Sequence, residues 1–158
     1  MIRTDYVLNK WDKRYLDVAK LVGSWTSCYR HEVGAVIVKD NRIIATGYNG
    51  APIGVKSCKE EGFCHKASKG VLKGPDHCRA AHAEQNALAQ AARLGVAVKD
   101  ATLYCTLKPC SICAKLMIQA GIKRVIYLGE YDEELTNYIQ ESQTETEFIS
   151  CEDYNDNK

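Results

Sequence analysis

The sequence predicts an α/β layered domain with at least one parallel strand pair. Short β-branched runs alternate along the 158 residues with longer helical patterns, the order expected of a sheet covered by helices. Two of those helical patterns stop at a glycine, Gly95 and Gly121, as helices closed by a left-handed residue do. No internal repeat interrupts this reading.

Taken in order, residues 10–25 read as an amphipathic helix. Trp11, Tyr15, Val18, Val22 and Trp25 recur at offsets of 4, 3, 4 and 3 and make one apolar stripe. Residues 33–38 and 42–48 are β-branched-rich strands, with Lys39-Asp40-Asn41 as the hairpin turn. Gly47-Tyr48-Asn49-Gly50 ends the second strand. Residues 49–80 have weak periodicity and hold three cysteines and two histidines. A structureless loop of that length is uncommon in a compact domain, so a metal is expected to organise it. Residues 81–94 form an alanine-rich helix, 101–106 a strand, 110–120 a helix, 124–128 a buried strand, 133–141 a helix and 147–150 a last strand. Residues 1–150 are expected to be the domain, and 151–158 a polar, frayed tail.

Composition excludes several functions. Hydrophobic content of 46% and charged content of 26% are ordinary for a soluble globular protein. A net charge of +1 speaks against an obligate nucleic-acid binder. No run approaches the roughly 18 apolar residues of a membrane span, and residues 1–6 lack the apolar stretch of a secretory signal. A cytoplasmic setting is therefore expected, where eight cysteines point to metal binding or catalysis rather than to disulfides. Cys105 falls in a strand and is expected in the core, and Cys151 is expected as an unengaged thiol near the tail.

The chemistry concentrates in His82-Ala83-Glu84 and Pro109-Cys110-Ser111-Ile112-Cys113. Zinc takes four protein ligands in a structural site, but three and a water in a catalytic one. His82, Cys110 and Cys113 supply three, and Glu84 is placed to act at the open position. Both halves fall at helix starts, where partial positive charge favours the thiolate zinc needs. Pro109 suits a helix entry, and the i, i+3 spacing sets both sulfurs on one face. H-x-E followed by P-C-x-x-C is the signature of zinc nucleobase deaminases. In that chemistry Glu84 takes a proton from water, then returns it to the ring nitrogen and the leaving amine, serving as base and then acid. The alternative is a structural zinc site with an incidental glutamate.

Over residues 10–135 the chain resembles the cytidine deaminase superfamily, and within it the deoxycytidylate (dCMP) deaminases. Besides the zinc motif, the resemblance is carried by Cys28 with Val33-Gly34-Ala35-Val36-Ile37-Val38, by Gly47-Tyr48-Asn49-Gly50-Ala51-Pro52, by Gln85-Asn86-Ala87, by Tyr104-Cys105-Thr106-Leu107-Lys108, and by Glu130-Tyr131-Asp132. It implies a single three-layer domain with a mixed five-stranded sheet flanked by helices. It implies hydrolysis of dCMP to dUMP and ammonia, supplying thymidylate synthesis. A homo-hexamer is implied, activated by dCTP and inhibited by dTTP, with Mg2+ accompanying the allosteric nucleotide. Asn49 and Asn86 resemble contacts to sugar and phosphate, although Asn49 also reads as a turn residue tolerating positive φ and Asn86 as an exposed helix position. Backbone groups of Ala83 and Lys108 resemble readers of the base edge. Tyr131 resembles a residue packed on the base, or a core or interface aromatic. Arg93 resembles a position of subunit contact and regulation, or a surface arginine.

Cys28, Cys58, Cys64, His65, His77 and Cys78 form a second group of zinc-competent residues. Some members of the family carry a second, structural zinc, and Cys28 and Cys58 match ligand positions there. The expected set is Cys28, Cys58, Cys64 and His77, with Cys78 or His65 as substitutes; buried thiols without metal are the alternative. Other readings of the whole chain are a bifunctional dCMP/dCTP deaminase, a tRNA adenosine deaminase and a non-catalytic zinc-binding module. Near-neutral charge and Gly-Tyr-Asn-Gly argue against the tRNA enzyme, and Glu84 against the module.

Overall fold

The computed structural model describes residues 2–71, 77–130, 143–151 and 154. Its elements are β1 (Ile2–Arg3), α1 (Lys10–Gly23), β2 (Gly34–Lys39), β3 (Arg42–Tyr48), α2 (Cys58–Glu61), α3 (His65–Ser68), α4 (Ala83–Leu94), β4 (Thr102–Cys105), α5 (Ser111–Gln119), β5 (Arg124–Tyr127) and β6 (Glu147–Ser150). The strands form one sheet in the order β1-β6-β5-β4-β2-β3. β4, β5, β6 and β1 run parallel, while β2 is antiparallel to both β3 and β4. The sheet is mixed, as expected, but has six strands rather than five. The additional β1 is a two-residue edge strand, registered through Ile2↔Phe148 and Arg3↔Ile149, too short to show a period of two.

Successive residues of a strand point to opposite faces, and here both faces are covered. Ala35 and Ile37 of β2 face α4 and α5 with Leu103, Met117, Val125 and Phe148. Val36 and Val38 face α1 with Leu16, Ala19, Tyr104, Ile126 and Ile149. The result is three layers, and it explains why the central strands are apolar throughout rather than alternating.

α1 starts at Asn9, whose side chain accepts from the backbone of Trp11 and Asp12 while Asp12 caps Asn9 in return. The apolar stripe runs differently from expectation. Trp11 is 47% and Trp25 56% exposed, and the buried arc is Asp12, Tyr15, Leu16, Ala19 and Val22. The reason is the close seat of α1 on β2: a Cβ at Gly34 would stand 1.8 Å from Ala19 O, so small residues form the seam and the tryptophans flank it. Asp12 tolerates burial because the Tyr6 and Tyr104 hydroxyls each donate to it at 2.8 Å.

The β2–β3 turn lies at Asp40 and Asn41, with φ of 49° and 58°, the paired left-handed conformation of a two-residue hairpin loop. Two one-turn helices, α2 and α3, order part of the long connection after β3. Ser57 and Glu60 cap α2 reciprocally. The expected helix over 133–141 lies outside the described residues. Cys151, expected near a frayed tail, is instead buried in the core beneath α1, because β6 ends one residue earlier. Tyr154 also rests on α1, its hydroxyl donating to Lys13 O at 3.3 Å and the Lys20 ammonium 4.2 Å from its ring. Among the described residues, no helix is long and apolar enough to cross a membrane.

Candidate active site

α4 and α5 present their N-termini to one point. His82 and Cys110 are the N-caps of these helices, one position earlier than the sequence pattern suggested, with Glu84 and Cys113 in the first turns. The Gln85 side chain accepts from His82 N at 2.8 Å, so capping does not occupy the imidazole. The Cys110 sulfur accepts from Cys113 N at 3.5 Å. Cys110 Sγ and Cys113 Sγ lie 3.4 and 3.3 Å from His82 Nδ1. Among the described residues this is the one group of three such side chains whose donor atoms lie within 4.8 Å of one another. Tetrahedral zinc holding nitrogen and sulfur at its usual bond lengths would separate them by roughly 3.5 Å, so the donor types and spacing fit that ion.

The charges of the cluster are set by its internal hydrogen bonds. The Cys113 thiol bonds to Cys110 and, with help from His82, holds Cys110 down at about 4 against the cost of burial. That same bond, followed by burial, pushes the Cys113 thiol far above its ordinary range. The two sulfurs thus differ, Cys110 lying toward the thiolate and Cys113 toward the thiol. His82 is raised by its bond to Cys110. Glu84 is 4% exposed, and burial pushes its carboxyl up to about 7.

His82, Glu84 and Cys110 open on a cavity of about 100 Å³. Asn49, Ala83 and Lys108 also line it. Asn49 Oδ1 accepts from Val33 N and its Nδ2 donates to His31 O, both at 3.0 Å. Its φ is not positive, so the turn reading does not hold; the side chain anchors the cavity wall. Asn86 is not on the wall. Its amide donates to Tyr48 O at 2.7 Å, and at longer range to Gly50 O and Ala81 O, tying α4 to the end of β3. Lys108 is 7% exposed and pairs with Glu130 at 2.9 Å. Arg93 is exposed in the last turn of α4, off the cavity. Tyr131 lies outside the described residues.

Four members of the second cysteine group, Cys28, Cys58, Cys64 and Cys78, line this same cavity. Their sulfurs and the His65 and His77 rings do not form a three-donor cluster in this structure. Cys28 Sγ accepts from Arg30 N, Cys64 Sγ caps α3, and His65 Nε2 is buried without a hydrogen-bond partner. Sequence reasoning missed the cationic side chains of the wall, Arg30, Lys66 and Arg79, with His31 beside them. Glu84 is the only carboxylate among the described residues that line it. The basic residues flanking and inside the cysteine-rich stretch were the available signal.

The chain matches the cytidine and deoxycytidylate deaminase zinc-binding region over residues 9–129. A deoxycytidylate deaminase of Schizosaccharomyces pombe is 42% identical over 124 residues, 77% of this chain and 38% of that protein. One from Mycobacterium phage D29 is 40% identical over 127 residues, 76% of this chain and 95% of that protein. The chain thus spans about two fifths of the yeast relative and nearly all of the phage one. The solved dCMP deaminase of cyanophage S-TIM5, in complex with dCMP and dUMP, superposes with a TM-score of 0.74 at 31% identity, over 92% of this chain and 100% of that one.

Proposed function

The chain belongs to the cytidine and deoxycytidylate deaminase family, and from that membership we propose that it hydrolyses dCMP to dUMP and ammonia. The observation that carries the reading is the His82, Cys110 and Cys113 triangle with the buried Glu84 beside it on a cationic cavity. When bound by those three residues, zinc would supply Lewis-acid activation of water at its open position.

The remaining work falls to side chains and backbone. Glu84, kept from bulk water, takes a proton from the attacking water and delivers protons to the ring nitrogen and then to the leaving amine. A C–O bond forms at the amine-bearing carbon and its C–N bond breaks. Backbone groups of Ala83 and Lys108 read the base edge, and Asn49 holds the wall at the sugar. Arg30, Lys66 and Arg79 give the cavity the charge a 5′-phosphate requires, which favours a nucleotide over a free nucleoside. Asn86 contributes by fixing the Tyr48–Gly50 backbone. The cyanophage enzyme bound to dCMP and dUMP supports this choice of substrate.

A second, structural zinc among Cys28, Cys58, Cys64 and His77, with Cys78 or His65 as substitutes, belongs to the same reading. The four thiols at one cavity and the unpartnered His65 nitrogen support it. A hexamer with Arg93 at a contact rests on the resemblance, with Arg93 exposed at the end of α4. Activation by dCTP with Mg2+, inhibition by dTTP, a cytoplasmic setting and supply of dUMP for thymidylate rest on the resemblance alone.

The test is ultraviolet-monitored deamination of dCMP, dCTP, cytidine and a tRNA anticodon loop, with Glu84→Gln as control. Turnover of dCMP above the others, lost in Glu84→Gln, is expected. Preference for the anticodon loop would overturn the substrate, and full activity in Glu84→Gln would overturn the mechanism.

A further inference from the structure

Two loops meet at the carboxyl ends of the parallel strands β4 and β5, where open α/β sheets bind their ligands. Residues 106–110 leave β4 and run to the N-cap Cys110. Residues 128–130 leave β5. The loops touch along their length: Leu128 N donates to Cys105 O at 3.1 Å, and a Cβ at Gly129 would lie 3.5 Å from Leu107 Cδ1 and 3.6 Å from Thr106 O. At their ends, the Lys108 ammonium meets the Glu130 carboxylate at 2.9 Å. Lys108 is 7% exposed and Glu130 54%, so one charge faces the cavity interior while its counter-charge reaches it from outside. A carboxylate at this distance stabilises the buried ammonium and joins the two loops at their ends.

We propose that Lys108 and Glu130 form a positioning clamp, fixing the Leu107–Lys108 wall of the cavity and with it nucleotide affinity. The proposal rests on the deaminase reading. Glu130 is a positioning residue: it touches the cavity only through Lys108. In that reading the Lys108 backbone reads the base edge in the bound substrate and in the transition state alike, so its displacement acts as a loss of uniform binding. Of the zinc ligands, His82 caps α4 and Cys113 lies in α5, both off this loop, while Cys110 at the loop's end is held separately, its sulfur accepting from Cys113 N at 3.5 Å.

The experiment is a double-mutant cycle in zinc-loaded protein with Lys108→Met, which keeps an unbranched stem without the charge, and Glu130→Gln, a near-isosteric change at a half-exposed side chain. KM for dCMP is expected to rise about tenfold in either single variant, kcat to fall less than about threefold, and the double variant to be no worse than the singles. Zinc content and the visible spectrum of the cobalt-substituted protein should match the parent. Hydrogen exchange of the 106–108 and 128–130 amides should quicken about tenfold in Glu130→Gln. Unchanged KM, additive losses, or zinc content falling with activity would each overturn the clamp. Unchanged exchange would overturn it even if the parent turned over no dCMP, an outcome that by itself would sink the deaminase reading instead.

Discussion

Gly47 of β3 lies backbone to backbone beneath Ala83 of α4. A Cβ at Gly47 would stand 2.2 Å from Ala83 O and 2.4 Å from Ala87 N. The first glycine of Gly-Tyr-Asn-Gly is thus the seat on which His82 and Glu84 are placed. The Asn86 amide on Tyr48 O tightens the same seam one residue further along the strand. The Gly47–Gly50 and His82–Asn86 motifs are therefore one structural unit.

Gly47→Ala should be destabilising by about 3 kcal/mol, because the obstructing atoms are backbone and α4 must shift as a whole. Urea unfolding measures the loss. Zinc affinity and dCMP turnover should fall with it, since the shift carries the His82 imidazole away from the two sulfurs. Stability and zinc affinity at parental levels would show that the seam yields locally.

Legibility in the sequence followed period and motif. The β2–β3 hairpin, the buried strand β5 and the helices closed at Gly95 and Gly121 carry local signals, and their bounds fall within one or two residues of those expected. β1 has two residues and gains its place only from β6. The orientation of α1 depends on the glycine seam against β2, a tertiary contact invisible to periodicity. At the site, the spacing of His82, Cys110 and Cys113 foretold the cluster, but not that the bond between the two cysteines lowers Cys110 and raises Cys113. Asn49 and Asn86 were legible as important amides, yet their hydrogen-bond partners are backbone groups that only the fold brings near.

Zinc affinity should rise with pH. Cys113 is pushed far above its ordinary range, so at neutral pH it holds a proton that metal binding must release, and His82 is raised in the same direction by its bond to Cys110. Cys110, held at about 4, has already lost its own. Release of protons on binding means tighter binding as pH rises, by about tenfold per pH unit for each proton. Chelator competition at pH 6, 7 and 8 should give a slope of at least one decade per unit. Cys113→Ser should bind more weakly and with a shallower slope. A flat profile would contradict the protonation pattern.

Metal-free protein should gain stability from Glu84→Gln above neutral pH. The Glu84 carboxyl stands at about 7 in the fold, against 4.5 ordinarily. Between those values the native state binds more protons than the unfolded chain, so stability falls as pH rises through the window and levels off above it. The shift corresponds to about 3 kcal/mol. Glu84→Gln removes this penalty, so the two chelated proteins should unfold alike at pH 4.5 and differ by about 2–3 kcal/mol at pH 8. Deamination by the zinc-loaded variant should meanwhile fall at least about 100-fold. A variant no more stable than its parent at pH 8 would mean that the buried carboxyl is solvated at no cost.

Arg79 offers the sharpest test of which part of a nucleotide the cationic wall reads. It lines the cavity, with Nη1 donating to Lys56 O at 3.0 Å and standing 4.0 Å from Glu61, so its backbone bond aims the guanidinium while leaving other N–H groups for a ligand. Arg79→Gln keeps a shorter hydrogen-bonding side chain but removes the charge. If the arginine serves a 5′-phosphate, KM for dCMP should rise about 10- to 100-fold, the effect of losing one charge-assisted contact. Turnover of cytidine, which has no phosphate, should be untouched, and high salt should raise KM in the parent more than in the variant. Equal losses with both substrates would instead mean that Arg79 supports the cavity through its bond to Lys56 and reads no phosphate.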